Sequence, residues 1–296
     1  MIAPYEKQQA GGNDIIQIVV TRNCDIFNCS NCTQLLPFRR DAWNMSLDCA
    51  ERALKSMQGW PGVVALFGGN PCVHPEFPAL CELWQHYIPE QRQRGLWTNH
   101  LKKHGEIIHK TLWPHGRFNL NVHANQSALD DMLRWLPGIP IYGQSPSWHG
   151  SMLLDYRDFG FSDQQWEKSR EDCDINRNWS AGVYERDGEP FAYFCEVAGS
   201  LDGVRGENNG IPCEPGWWKK PMSEFQHQVE RCCNRGCGVP LRCKGNRDVQ
   251  DIYDVSASWT SHTQNRAGKI NLALCDNTLP ETTYELTDYQ ELRGSK

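Results

Sequence analysis

A chain of 296 residues is long enough for one large domain, or for one domain with a substantial appendage, since single α/β barrels occupy roughly 200 to 250 residues. A formal net charge of -6 supplies no global positive field for nucleic acid, and a hydrophobic share of 39% with 12 tryptophans suits a globular fold with aromatic-lined cavities, not a disordered or fibrous chain. Its apolar stretches fall far short of the roughly 20 residues of a membrane span. The segment "MIAPYEKQQAGGND" lacks the basic-then-apolar layout of a secretory signal, so a cytoplasmic protein without membrane partners is expected. In a reducing compartment its 14 cysteines are not expected to form disulfides, and the clustered ones are read as metal ligands.

From Asp14 to about Trp148 short β-rich runs alternate with helical patterns, the signature of βα units around a parallel sheet. The strands in chain order are "DIIQIVVT", "GVVALFGG", "RGLWTNH", "RFNLNVHA" and "GIPIYGQ". Helices are predicted between them over Ser46 to Gln58, Phe77 to Tyr87, Gly105 to Thr111 and Ser127 to Leu136. Ser46 reads as an N-cap ahead of Leu47, Ala50, Leu54 and Met57, which recur at helical spacing and form a buried face. Ser127 reads as the next N-cap, with acidic residues in the first turn where the helix dipole favours them. Repeated units of this length predict a full or partial barrel.

After about Ser151 the texture becomes rich in Gly, Asp and Asn and holds eight of the cysteines. A boundary is set near Gly160, dividing the chain into a barrel core (1–160), a cysteine-rich region with remaining barrel elements (161–276) and a polar tail (277–296). No internal repeat or low-complexity tract is found.

The first strand runs into "TRNCDIFNCSNCTQ", which spaces Cys24, Cys29 and Cys32 as C-x4-C-x2-C. In parallel-sheet barrels the chemistry sits where strands end. Three thiolates hold three irons of a 4Fe–4S cubane and leave the fourth iron open to another ligand, whereas a ferredoxin or a zinc knuckle wants a fourth protein ligand. The next cysteine, Cys49, falls inside a predicted helix. Cys49, Cys72, Cys81 and Cys275 are read as small packed residues.

This loop resembles that of the radical S-adenosylmethionine (SAM) enzymes, in which three cysteines follow the first strand of a partial (β/α)6 TIM-like barrel. The usual spacing there is C-x3-C-x2-C, so this chain has one extra residue between Cys24 and Cys29, and Asn31 stands where an aromatic residue is usual. The segment "VVALFGGNPCVHPEF" is similar to the family's GGEP segment, with Asn70 in place of the Glu that contacts the SAM amino group. The amide can accept the same hydrogen bond but brings no negative charge. "WTNH" resembles the family's TNG. The resemblance implies that Gly68, Gly69, Asn70, Thr98 and Asn99 line a SAM pocket. Asn121 and His123 alternate with Leu120 and Val122, which makes one of these faces a candidate to point into the barrel near SAM ribose or substrate, a packed or solvent-facing His123 being the competing reading.

A second set follows, with Cys195 and Cys213 flanking a glycine-rich stretch and Cys232, Cys233, Cys237 and Cys243 in "CCNRGCGVPLRC". It resembles the auxiliary-cluster appendages of twitch or SPASM type, which implies a second 4Fe–4S cluster held by Cys195, Cys213, Cys237 and one of Cys232 or Cys233; Cys233 is taken. Adjacent cysteines rarely both face one metal, and Cys243 competes as the fourth ligand. A structural zinc site is the competing reading. The basic residues Arg231, Arg235, Arg242, Lys244 and Arg247 are read as a solvated or cluster-flanking surface.

The resemblance implies reductive cleavage of SAM by an electron from an external donor such as flavodoxin or ferredoxin. The resulting 5′-deoxyadenosyl radical abstracts hydrogen from a small-molecule, amino-acid or peptide-residue substrate. Modification of a nucleic-acid base and a non-catalytic zinc or iron–sulfur module are the alternatives. Trp97, Trp148, Trp179, Trp217 and Trp218 are candidates for stacking on a base or for simple packing.

Overall fold

A computed structural model of the chain describes residues 15–26, 32–38, 42–123, 125–142, 153–171, 173, 180–234, 237–239 and 256–262. The five strands expected from the sequence form as β1 (Ile15–Thr21), β2 (Val63–Gly68), β3 (Arg94–Thr98), β4 (Arg117–Asn121) and β5 (Ile141–Tyr142). Each pairs in parallel with its predecessor. Helices α1 (Leu47–Ser56), α2 (Phe77–Tyr87), α3 (Gly105–Leu112) and α4 (Gln126–Trp135) connect them.

Ser46 caps α1, its hydroxyl accepting from the Cys49 amide, and Ala50, Leu54 and Met57 are buried. The cap of α4 is Asn125, not Ser127: its side chain accepts from the Ala128 amide, and the earlier start leaves no acid in the first turn. Asn and Ser are near-equal caps, so local preference alone does not separate these two positions. Val20 and its neighbours Ile16, Ile18 and Val19 are fully buried, as a strand covered on both faces requires.

The remaining elements are α5 (Asp163–Glu171), β6 (Ser180–Arg186), β7 (Glu189–Tyr193), α6 (Glu196–Arg205), β8 (Ile211–Pro212) and α7 (Met222–Gln228), which runs into a π-helical turn at Val229–Cys233. β6 pairs in parallel with the free side of β1, and β7 and β8 continue antiparallel, giving one sheet in the order β5-β4-β3-β2-β1-β6-β7-β8. The hairpin from β6 to β7 turns at Asp187–Gly188, both with positive φ, as a two-residue turn matched to strand twist requires. The class is α/β with a mostly parallel sheet. That sheet continues across Gly160, where the chain makes only a left-handed turn after a short 3-10 helix.

Connections from β1 and β6, neighbours in the sheet, depart in opposite directions. Ligands of open α/β sheets bind at the carboxyl ends of strands beside such a reversal. No helix among the described residues is long and apolar enough to cross a membrane.

Candidate functional site

The parallel register brings Thr21, Gly68 and Thr98 to one edge of the sheet, with Asn121 just beyond. Every sequence-predicted residue of the first site that is described leaves from this edge. Cys24 and Cys32 lie on the exit from β1; Cys29, like Asn31, lies outside the described residues.

Gly68 and Gly69 let β2 end against the cysteine loop. A side chain on Gly68, whose φ is +137°, would stand 2.1 Å from the Thr21 carbonyl; one on Gly69 would stand 2.1 Å from the Asn23 carbonyl and 3.0 Å from Cys24 Cβ. The amides of Gly69 and Asn70 use that closeness, donating to Thr21 O at 2.9 Å and Asn23 O at 2.7 Å. These glycines therefore set the position of Cys24.

Asn70 is fully buried and spends all its valences on protein. Its Oδ1 accepts from the Cys72 amide at 2.9 Å and Thr98 Oγ1 at 2.7 Å, and its Nδ2 donates to Asp25 Oδ2 at 3.0 Å and the His100 carbonyl at 3.2 Å. It fastens the cysteine loop to the ends of β2 and β3, and Thr98 is its partner. Asp25, the partner of Asn70 Nδ2, also meets Lys102 Nζ at 2.9 Å. Lys102 lines a cavity of about 520 Å³ with Cys72, His74 and His104.

Asn99 behaves differently. Its Nδ2 approaches Cys24 Sγ at 3.5 Å, while its buried Oδ1 has no partner. A buried amide oxygen left unpaired is costly unless something binds there. Cys32 lies deeper: burial pushes its thiol up to about 11, against the backbone amides of Leu36, Gln34 and Leu35 directed at the sulfur, while Cys24 acts as a nearby like charge. Amides aimed at a sulfur are the contacts that stabilise a ligating thiolate.

Asn121 ends β4 and accepts from the His123 amide at 3.1 Å. His123 adopts a left-handed φ of 45°, and burial lowers its pKa. His74 is an internal strut whose Nδ1 accepts from the Glu76 amide; its other nitrogen therefore donates to Met45 O at 2.9 Å, and burial holds the ring neutral. Leu35, Lys102 and His123 are non-glycine residues with positive φ on loops leaving this edge, where backbone strain tends to accompany function.

The second cysteine set is rearranged. Cys195 is the N-cap of α6 and Cys233 ends the π-helical turn. Burial raises the Cys195 and Cys237 thiols and pushes Cys233 up to about 12, and each lies within electrostatic reach of Cys173. Cys213 is not brought to this group. Its amide donates to Pro190 O, at the start of β7, whereas Cys195 follows the end of β7. Antiparallel pairing thus separates the two by roughly 15 Å. The thiol within electrostatic reach of Cys213 is Cys49. Cys232 turns away to contact the Ala198 carbonyl at 3.7 Å. Cys243 and Cys275 lie outside the described residues, as do Trp148 and Trp179.

Trp217 and Trp218 are core residues, Trp218 packing edge-on against Trp60. Cys49, Cys72 and Cys81 are buried in the core as expected. The residues that sequence reasoning missed are Cys173, Asp25 and Gln34. The buried side chain of Gln34 meets Tyr184, whose hydroxyl also reaches Ser200 of α6. Asp25 adjoins the first cysteine and was visible as a lone acid there; nothing local marks the other two.

Among the described residues, no three His, Cys, Asp or Glu side chains converge closely enough to hold one metal ion. No family model matches the chain, and no curated protein matches it.

Proposed function

We propose that the protein is a radical SAM enzyme whose cluster loop is Cys24, Cys29 and Cys32. One observation carries the reading: at the carboxyl edge of the parallel strands, the amide-cradled Cys32 lies within electrostatic reach of Cys24, and Cys24 touches an asparagine whose buried oxygen has no partner. The donor set fits a 4Fe–4S cluster that keeps one iron free of protein ligands. The finer architecture of the proposal is a partial barrel, since β1 to β5 follow one another in a single direction; β6 on the far side of β1 is the departure from it.

When bound, the cluster and SAM supply reductive cleavage of the sulfonium and a 5′-deoxyadenosyl radical that takes hydrogen from a small-molecule, amino-acid or peptide-residue substrate. The chain's part is to position these groups. Gly68 and Gly69 set the loop's approach, Asn70 and Thr98 clamp it, and Asp25 offers a carboxylate near the point where the family's Glu would act. The Asn99 oxygen is an acceptor for an N–H or O–H of the bound ligand. An external one-electron donor of flavodoxin or ferredoxin type completes the system, and a second cluster assists.

The test is anaerobic reconstitution followed by reduction in the presence of SAM. Methionine and 5′-deoxyadenosine should form, and neither should form with Cys24→Ala. Cleavage retained by that variant would overturn the assignment.

A further inference from the structure

We propose that Cys173, Cys195, Cys233 and Cys237 form one four-thiolate site for an iron–sulfur cluster, with Cys173 in the place that the sequence pattern gives to Cys213. The identity of the metal group rests on the reading above; the ligand set rests on how the helices meet.

Three elements deliver these thiols. Cys173 follows the end of α5, its amide donating to Arg170 O at 3.1 Å. That end is fastened to the π-helical turn twice, by Trp166 Nε1 donating to the Cys233 carbonyl at 2.9 Å and by Arg170 donating to the Asn234 side chain. The turn is fastened in its own right to the start of α6 through the Cys232 contact with Ala198 O. Cys195, the N-cap of α6, is therefore held beside Cys233, and Cys237 follows a few residues on, buried in the core. A π-helical turn inserts an extra residue into a helix and marks functional sites more often than chance. Here it turns Cys232 toward α6 and leaves its neighbour Cys233 to face the other thiols.

Two further observations point to a ligand. Each of the four thiols lies near the other three in one buried region, so ionising them together there calls for bound cations to offset the charge. The amides of Val197 and Val239, each two residues beyond its cysteine, are directed at the sulfurs of Cys195 and Cys237, as the Gln34 amide is at Cys32. Arg170 lies close enough to favour the charged form of Cys233, and Arg205 does the same for Cys237. A single zinc ion would bring all four sulfurs to about 2.3 Å from one point. A cubane places an iron under each thiolate and so accepts a wider set.

The experiment measures iron and sulfide per chain in full-length protein reconstituted without oxygen. Cys173→Ala is expected to lose about half the iron, one of two four-iron clusters, and Cys213→Ala to lose none. Adding Cys173→Ala to Cys24→Ala/Cys32→Ala should remove what remains. Full iron in Cys173→Ala, or half lost in Cys213→Ala, would overturn the proposal, as would zinc in place of iron at this site. Should the variant not fold, thiol alkylation of the wild-type chain mapped by mass spectrometry decides: Cys173 should be protected when metal-loaded and react after chelation, and equal labelling in both states contradicts the assignment. Failure of the SAM-enzyme reading is distinct, because it appears as absent SAM cleavage and as iron unaffected by Cys24→Ala/Cys32→Ala.

Discussion

The two cysteine regions reach their sulfurs by opposite routes. The first is local: Cys24 and Cys32 lie on one loop, and the amides around Cys32 come from the residues that immediately follow it. Its counterpart is assembled by the fold, from the end of α5, the cap of α6 and a π-helical turn joined by long-range hydrogen bonds. A local site can be emptied with little effect on the rest of the chain. An assembled one shares its residues with the core, Cys237 and Cys232 being buried there, so losing its ligand should loosen the packing of three elements together.

The largest expected effect separates the two directly. Cys32→Ala should abolish SAM cleavage while leaving the iron of the second region and the thermal midpoint nearly unchanged; a large fall in that midpoint would show that the first loop is not locally built. Next is Gly69→Ala, whose new methyl would stand 2.1 Å from the Asn23 carbonyl. The resulting overpacking should cost about 3 kcal/mol in chemical denaturation and deplete iron from the first region alone. Gly59→Ala is its control, since Gly59 has φ +81° with nothing within 4 Å, and only backbone strain of about 1 kcal/mol is expected.

Asn70→Ala strands the buried Cys72 amide, leaves the Thr98 hydroxyl and the His100 carbonyl only each other, and releases Asp25, and should cost about 2 kcal/mol. Unchanged denaturation would show that Asn70 is held for a ligand instead of for the loop. The smallest effect concerns pH. Burial depresses the folded-state pKa of His74 below the ordinary 6.5, so the unfolded chain binds the extra proton first. Stability should therefore be fully present above that value and fall as the pH drops through 6.5 toward the lower folded-state pKa. His74→Gln, which can still donate to the Met45 carbonyl, should flatten part of this slope; an unaltered slope would assign it to other groups, among them His104 and His123, whose pKa values burial also lowers.

Much of the sheet was legible because its signals are short-range. "DIIQIVVT" and "GVVALFGG" carry the apolar runs of buried parallel strands, and α2 spans the predicted Phe77 to Tyr87. β6 beside β1 was not legible: strand order is fixed by packing over the whole chain, and no local pattern records it. The same limit misplaced Cys213. Its spacing from Cys195 matches an auxiliary-cluster pair, but hairpin geometry sends the two to opposite ends of β7. Cys173 carried no signal because its partners lie tens of residues away. Asn70 was read by analogy as facing a ligand, and its hydrogen bonds place it inside the wall instead.

The central claim is that Cys24, Cys29 and Cys32 bind a cubane with one iron open to SAM. Electron paramagnetic resonance of the anaerobic, dithionite-reduced chain, recorded with and without SAM, tests it most directly. A reduced-cluster signal should appear, shift when SAM is added and vanish in Cys24→Ala/Cys32→Ala, leaving only the SAM-insensitive signal of the second site. A spectrum indifferent to SAM in the wild-type chain would contradict it.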